Sequence, residues 1–394
     1  MGMKEGDTHK ATGEIEEVPS TGGIEAIKAG CERFLSRHRP KKTAREWLEE
    51  LAVSQAAEPP PDIYGEGEAI ASLEREVAHL LGKEAGTFVI KDVIAQQCAL
   101  RVHCDRAGVP TVVLHPKSHV DLDEDGAYER LHGLRGVRLG SEDLSFTLRD
   151  LDAVREPLGA VVVELPLRRA GFKLLPWEEL AAISEWCRER KVPLHFDGAR
   201  LWESGPFYGR PYSEIAALAD SVYVSFYKGL GALAGCVLAG EETFVEEAKV
   251  WKTRHGGNVH TSFPCVISAK SGLERHLPKM AAYRDRARNL AEALSTLPGV
   301  RVAPDPPHAN AFRLYLPGER EFLERAALDL ASDELVWLFD KVESTGVPGF
   351  SFAEVQIGEA AGDLSDEEVV GLVTTVLKNA RLADRSDARS DVRS

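Results

Sequence analysis

The 394-residue sequence has no C-x-x-C pair. Its six cysteines (Cys31, Cys98, Cys104, Cys187, Cys236 and Cys265) are scattered, several of them in apolar or helical runs where thiols are usually buried. The pattern argues against a disulfide framework and for a reduced, cytoplasmic protein. His115, His119 and the His103-Cys104 pair lack partners at intervals that would close a four-ligand zinc set, so no metal is expected. No long apolar run and no signal-peptide pattern is present, which leaves the membrane out of the expected partners. Positive charge is in deficit, with 48 Lys and Arg against 63 Asp and Glu, a net charge of −15. A broad phosphate-backbone footprint, and so nucleic acid, is not expected. No G-x-G-x-x-G follows the first strand-like run, which disfavours a dinucleotide cofactor. There is no internal repeat.

What is present is a pair of segments, His195-Phe196-Asp197-Gly198-Ala199-Arg200 and Ser225-Phe226-Tyr227-Lys228-Gly229-Leu230-Gly231. Asp197 follows the apolar run 192–196 and Lys228 follows 222–226. Open α/β sheets build ligand sites at such strand ends. A lysine and a carboxylate so placed are what pyridoxal 5'-phosphate (PLP) requires. The amine forms a Schiff base with the aldehyde, and the carboxylate keeps the pyridine nitrogen protonated so that the ring accepts electrons. The glycines after Lys228 allow close backbone approach, and partial burial would favour the neutral amine.

With 43% hydrophobic residues the chain can bury a large core. Strand signals at 85–90, 111–114, 160–165, 193–197, 221–226 and 234–240 alternate with helical ones at 69–81, 93–106 and 177–191, which predicts βαβ units and a mostly parallel sheet. After about residue 275 the pattern changes to a charged helix (279–297), strands at 300–302, 311–316, 335–339 and 350–357, and helices at 320–330 and 365–379, a smaller α+β unit. The expected organisation is a disordered segment 1–24, a helical arm 25–60, a large domain 61–275, a small C-terminal domain 276–380 and a disordered Arg/Ser/Asp-rich tail 381–394.

In order along the chain stand Asp62-Ile63-Tyr64-Gly65-Glu66, Leu80-Leu81-Gly82-Lys83-Glu84-Ala85, Gln96-Gln97, Lys117-Ser118-His119, Arg169-Ala170-Gly171, Asp197-Gly198-Ala199-Arg200 and Lys228-Gly229-Leu230-Gly231. Together they resemble the L-threonine aldolase and β-eliminating lyase family of fold-type-I PLP enzymes. The resemblance implies the fold-type-I transferase architecture, an α/β fold with a mostly parallel central sheet. It also implies a homodimer or homotetramer acting on a small amino acid. By the resemblance Lys228 is the Schiff-base lysine, Asp197 faces the pyridine nitrogen, Arg200 meets a cofactor oxygen or the phosphate, and His119 stacks on the ring and moves protons. Arg168 and Arg169 lie where the family keeps an arginine for the substrate carboxylate, with Arg169 in the better register. Tyr64 and Glu66 fit a loop that approaches the site, in some members from the neighbouring subunit, and Gly256-Gly257-Asn258 resembles a glycine-rich loop at a subunit interface.

Three departures stand out. Where the family's phosphate cup reads Ser-Gly-Thr, this chain has Lys91, Asp92 and Val93, which removes two hydroxyls and a glycine and adds a carboxylate. The family's N-terminal Arg-Ser-Asp-Thr segment is replaced by a basic stretch, 31–53, that reads as helical. The arginine of the last domain is absent near 350–357, where Phe352-Ala353-Glu354 stands, and Arg313 is the nearest substitute. The implied activity is cleavage of the Cα–Cβ bond of a β-hydroxy-α-amino acid to glycine and an aldehyde. The alternatives are β-elimination, racemisation or transfer by the same residues, or a homologue that has lost catalysis and binds a partner.

Overall fold

The computed structural model describes residues 21–36 and 42–391. Thirteen strands run in chain order: β1 (Arg33–Phe34), β2 (Ala85–Val89), β3 (Thr111–Leu114), β4 (Arg135–Arg138), β5 (Ala160–Glu164), β6 (Leu194–Gly198), β7 (Ser221–Ser225), β8 (Cys236–Gly240), β9 (Arg301–Ala303), β10 (Ala311–Pro317), β11 (Val336–Trp337), β12 (Val342–Ser344) and β13 (Phe350–Gln356). The central sheet has the order β2-β8-β7-β6-β5-β3-β4. Only β8 runs against its neighbours, so the other six strands point their C-terminal ends at one edge. Helices cover both faces, as the near-continuous apolar strands β3, β5 and β7 require. One large core gathers around this sheet, with Leu73, Val77, Val161, Phe196, Trp202 and Val224 fully or almost fully buried. The fold is α/β with a mostly parallel central sheet.

A second sheet, β12-β13-β10-β9, is antiparallel and packs its own core against the helices Met280–Ser295, Arg320–Glu334 and Asp366–Asp391. The strand expected over 335–339 is shorter and joins neither of these sheets: β11 pairs in parallel with β1. That corrects the reading of 31–53 as one helix. Within it Arg33–Phe34 is extended, and helix starts only at Ala44, where Thr43 and Glu46 form a reciprocal capping box.

Residues 1–20 of the segment expected to be disordered lie outside the described residues, and 21–24 begin the helix Thr21–Gly30. Of the tail 381–394, residues 381–391 continue the last helix and 392–394 lie outside the described residues. All six cysteines are free thiols, five of them buried. Among the described residues no helix is long and apolar enough to cross a membrane.

Candidate active site

The aligned C-terminal ends of the parallel strands collect the ionisable residues. Register pairs Glu164 with Asp197 across β5–β6 and Asp197 with Tyr223 across β6–β7, so the three side chains share one face of the sheet. Asp197 is 1% exposed. Its Oδ1 accepts the Ala199 N–H at 3.1 Å, while Oδ2 is buried without a partner. An orphaned carboxylate oxygen at a strand end calls for a donor from a ligand. A protonated pyridine nitrogen is such a donor, so the ring end of PLP fits here.

Lys228 lies three residues past β7, its side chain mostly buried. Burial lowers its pKa, and the nearby Arg200 guanidinium lowers it further, against the raising charges of Asp197, Asp92 and Glu164. The balance favours the nucleophilic amine. The turn holding it is fixed by Glu203, whose Oε1 accepts the Gly229 N–H at 2.9 Å. Arg200, expected in the first turn of the following helix, occupies its N-cap position before Leu201–Tyr208. It is buried, packs over Phe172 and reaches Gln356 Oε1 at 3.4 Å, and its Nε is unpartnered.

His119 enters from the loop after β3. Its backbone N–H donates to Glu164 Oε2 at 2.9 Å, and its Nδ1 lies 3.1 Å from Glu124 Oε1. Gln97 Nε2 donates to the other oxygen of Glu124 at 2.6 Å. Burial pulls the His119 pKa down, but the Glu124 hydrogen bond and the charge of Asp197 outweigh it and raise the value above that of free histidine. Glu164 and Glu124 are themselves raised, chiefly by burial. Neither glutamate, nor Glu203, was singled out from sequence. Glu164 could have been, as a lone acid ending the apolar run 160–165. Gln97 was seen only as part of a motif.

At the far side of this cluster stands the helix Asp92–Ala107, following β2. Asp92 is 2% exposed and is encircled by donors. The Val93 N–H donates to its Oδ1 at 3.0 Å, Lys91 Nζ is 2.5 Å from the same oxygen, and Tyr227 Oη donates to Oδ2. His119 Nε2 and Lys228 Nζ stand 3.7 and 3.9 Å from Oδ2. Burial would raise its pKa, yet the bonds from Lys91 and Tyr227 and the charge of Lys228 hold it at about 2. The helix N-terminus, where a cofactor phosphate would be received, therefore already holds an ionised carboxylate. The phosphate end of PLP does not fit these residues as the ring end does.

The arginines expected to take a substrate carboxylate are all engaged. Arg168 donates through Nε and Nη2 to Glu354 Oε2 at 3.0 and 2.8 Å. Arg169, the better register match, is clamped to Asp123. Arg313 donates to the Arg169 carbonyl and packs over Phe352, with its Nε buried and unpartnered. Tyr64 is 56% exposed and stands edge-on to His260, outside the Lys228 cluster of its own chain. Gly257 adjoins Lys252, whose Nζ donates to the Phe88 carbonyl at the end of β2. Among the described residues no group of three or more His, Cys, Asp or Glu could hold a metal ion.

The family model for β-eliminating lyases matches residues 17–316. A putative L-allo-threonine aldolase from Listeria monocytogenes is 34% identical and superposes with a TM-score of 0.85 over 91% of this chain and 99% of its own. A putative aromatic amino acid β-eliminating lyase/threonine aldolase from Exiguobacterium is 31% identical, also with a TM-score of 0.85, over 90% and 99% of the two chains. Low-specificity L-threonine aldolase 1 of Arabidopsis thaliana is 31% identical over 256 residues, 62% of this chain and 71% of its own. The chain belongs to the β-eliminating lyase family, whose members are PLP-dependent, and is an enzyme of its threonine aldolase-like kind.

Proposed function

We propose that the protein cleaves the Cα–Cβ bond of a β-hydroxy-α-amino acid, giving glycine and an aldehyde. The observation that carries this reading is the pairing of the buried, unpartnered Asp197 Oδ2 with the mostly buried Lys228 amine at one edge of a parallel sheet. A pyridoxal-type aldehyde bound there supplies an electron sink for the bond that breaks. Lys228 Nζ would hold the aldehyde carbon. Asp197 Oδ2 accepts the ring N–H and keeps that proton in place. His119, its Nδ1 held by Glu124 and its Nε2 3.7 Å from Asp92 Oδ2, takes the β-hydroxyl proton at Nε2.

Arg200 contributes its free Nε to a ring oxygen. Arg313, whose Nε is equally unpartnered, receives the substrate carboxylate. Arg168 and Arg169 shape that end of the crevice and release their own carboxylates only in exchange for the substrate's. Lys91, Asp92 and Val93 line the opposite end. β-Elimination, racemisation and transfer need the same residues and differ in which bond at Cα stands perpendicular to the ring. The exposed Tyr64 loop and the Gly256–Asn258 turn suit a neighbouring subunit's site in a homodimer or homotetramer, and the compartment proposed is the cytoplasm. Incubation with L-allo-threonine and L-threonine tests the reading. Glycine and acetaldehyde in equal amounts, lost in Lys228→Ala, are expected. 2-Oxobutanoate with ammonia, or the Cα epimer, without glycine would replace aldol cleavage by one of the other reactions.

A further inference from the structure

We propose that Asp92 stands in for the cofactor's phosphate, so that the crevice takes an unphosphorylated pyridoxal-type aldehyde about as readily as PLP. The inference rests on the cofactor reading of Lys228 and Asp197 given above and deepens it by naming the cofactor class the site selects.

A phosphate dianion in this crevice needs the first-turn N–H groups of the helix Asp92–Ala107 and nearby cations. The Val93 N–H, the Lys91 ammonium and the Tyr227 hydroxyl are already spent on the Asp92 carboxylate. No serine or threonine hydroxyl stands at 91–93 to add a donor. Asp92 is not a surface acid that could turn to water: its side chain is 3% exposed, with the Tyr227 hydroxyl bonded to Oδ2 and His119 Nε2 3.7 Å from the same oxygen. The surrounding charge is adverse as well. Asp197 and Glu164 already face Lys228, and Glu203 and Glu164 face Arg200, while Arg168 is spent on Glu354. A further −2 beside a buried carboxylate is repelled at short range with little water to screen it. The neutral hydroxymethyl group of pyridoxal meets no such repulsion and can donate to the same carboxylate. The ring end is indifferent to the exchange, since Asp197 and Lys228 grip atoms that both aldehydes share.

The full-length protein, stripped of bound aldehyde, would be titrated with PLP and with pyridoxal. The readouts are the visible band of the lysine adduct and, after borohydride reduction, the intact mass and the labelled peptide. Wild type is expected to bind the two with dissociation constants less than tenfold apart and to label at Lys228 with both. Asp92→Asn, which keeps the size, and Asp92→Ser, which adds a hydroxyl, are expected to tighten PLP more than tenfold relative to pyridoxal. A wild-type preference for PLP of tenfold or more, or an unchanged ratio in both variants, overturns the proposal while the Lys228 label preserves the cofactor reading. No label from either aldehyde in any variant overturns both.

Discussion

Lys228, Asp197 and His119 divide the chemistry into separable tasks, and each makes its own prediction. Asp197→Asn keeps the shape but loses the charge that holds the ring proton. Its kcat for L-allo-threonine cleavage is expected to fall on the order of 10²-fold or more, with KM little changed. His119 must be neutral to accept a proton, and its pKa is raised despite burial by the Glu124 hydrogen bond and the Asp197 charge. Cleavage should therefore rise with pH through that value. Glu124→Gln removes the hydrogen-bonded charge, so the acid limb of kcat/KM should move to lower pH; an unmoved limb would take the proton transfer away from His119.

Lys228 and Asp197 were legible in the sequence because each ends an apolar run. The status of the arginines was not. Arg168 and Arg169 meet their acids, Glu354 and Asp123, across 186 and 46 residues of chain, which no local pattern displays. The consequence of Asp92 was half legible: the charge could be read, but not the ring of donors that fixes it.

Among the elements, those with strong periodicity were readable to within a residue or two: β3 at Thr111–Leu114, β10 at Ala311–Pro317 and the helix Trp177–Arg190. β4 escaped because it is an exposed edge strand of Arg135-Gly136-Val137-Arg138, without an apolar face to reveal it. β1 escaped because two residues carry no period; its pairing with β11 alone makes it a strand. The turn after β7 is where element geometry and chemistry meet. A Cβ at Gly229 would lie 2.1 Å from Glu203 Oε1, the atom that accepts the Gly229 N–H. Gly229→Ala should cost about 2 kcal/mol or more in urea unfolding and weaken the Lys228 adduct, because the carboxylate must move and leave a buried N–H unpaired. Full stability with an intact adduct would show that Glu203 does not hold the turn.

For the whole molecule, buried acids set the response to pH. Glu164, Glu124 and Glu203 are raised above the ordinary glutamate value of 4.5, mainly by burial. The folded state then binds more protons than the unfolded chain, so their contribution is full below about 4.5 and is lost as pH rises through the folded values. Asp92, held at about 2 from 3.8, has the opposite sign: its contribution is present above 3.8 and lost as pH falls toward 2. The buried histidines His103, His132, His195 and His308, lowered by burial, contribute with the other sign below about 6.5, so unfolding of the cofactor-free protein should be hardest near neutrality and become easier on both sides. Glu164→Gln should flatten the upper side of that curve. In solution, light scattering should give two or four times the 43.1 kDa chain mass.

The central claim is that Lys228 carries the aldehyde, and borohydride reduction after incubation with PLP and with pyridoxal, followed by peptide mapping, tests it most directly. The account predicts one labelled lysine, Lys228, with the visible band and the label both absent in Lys228→Ala and both retained in Lys91→Ala. A label on another lysine, or none with either aldehyde, would contradict it.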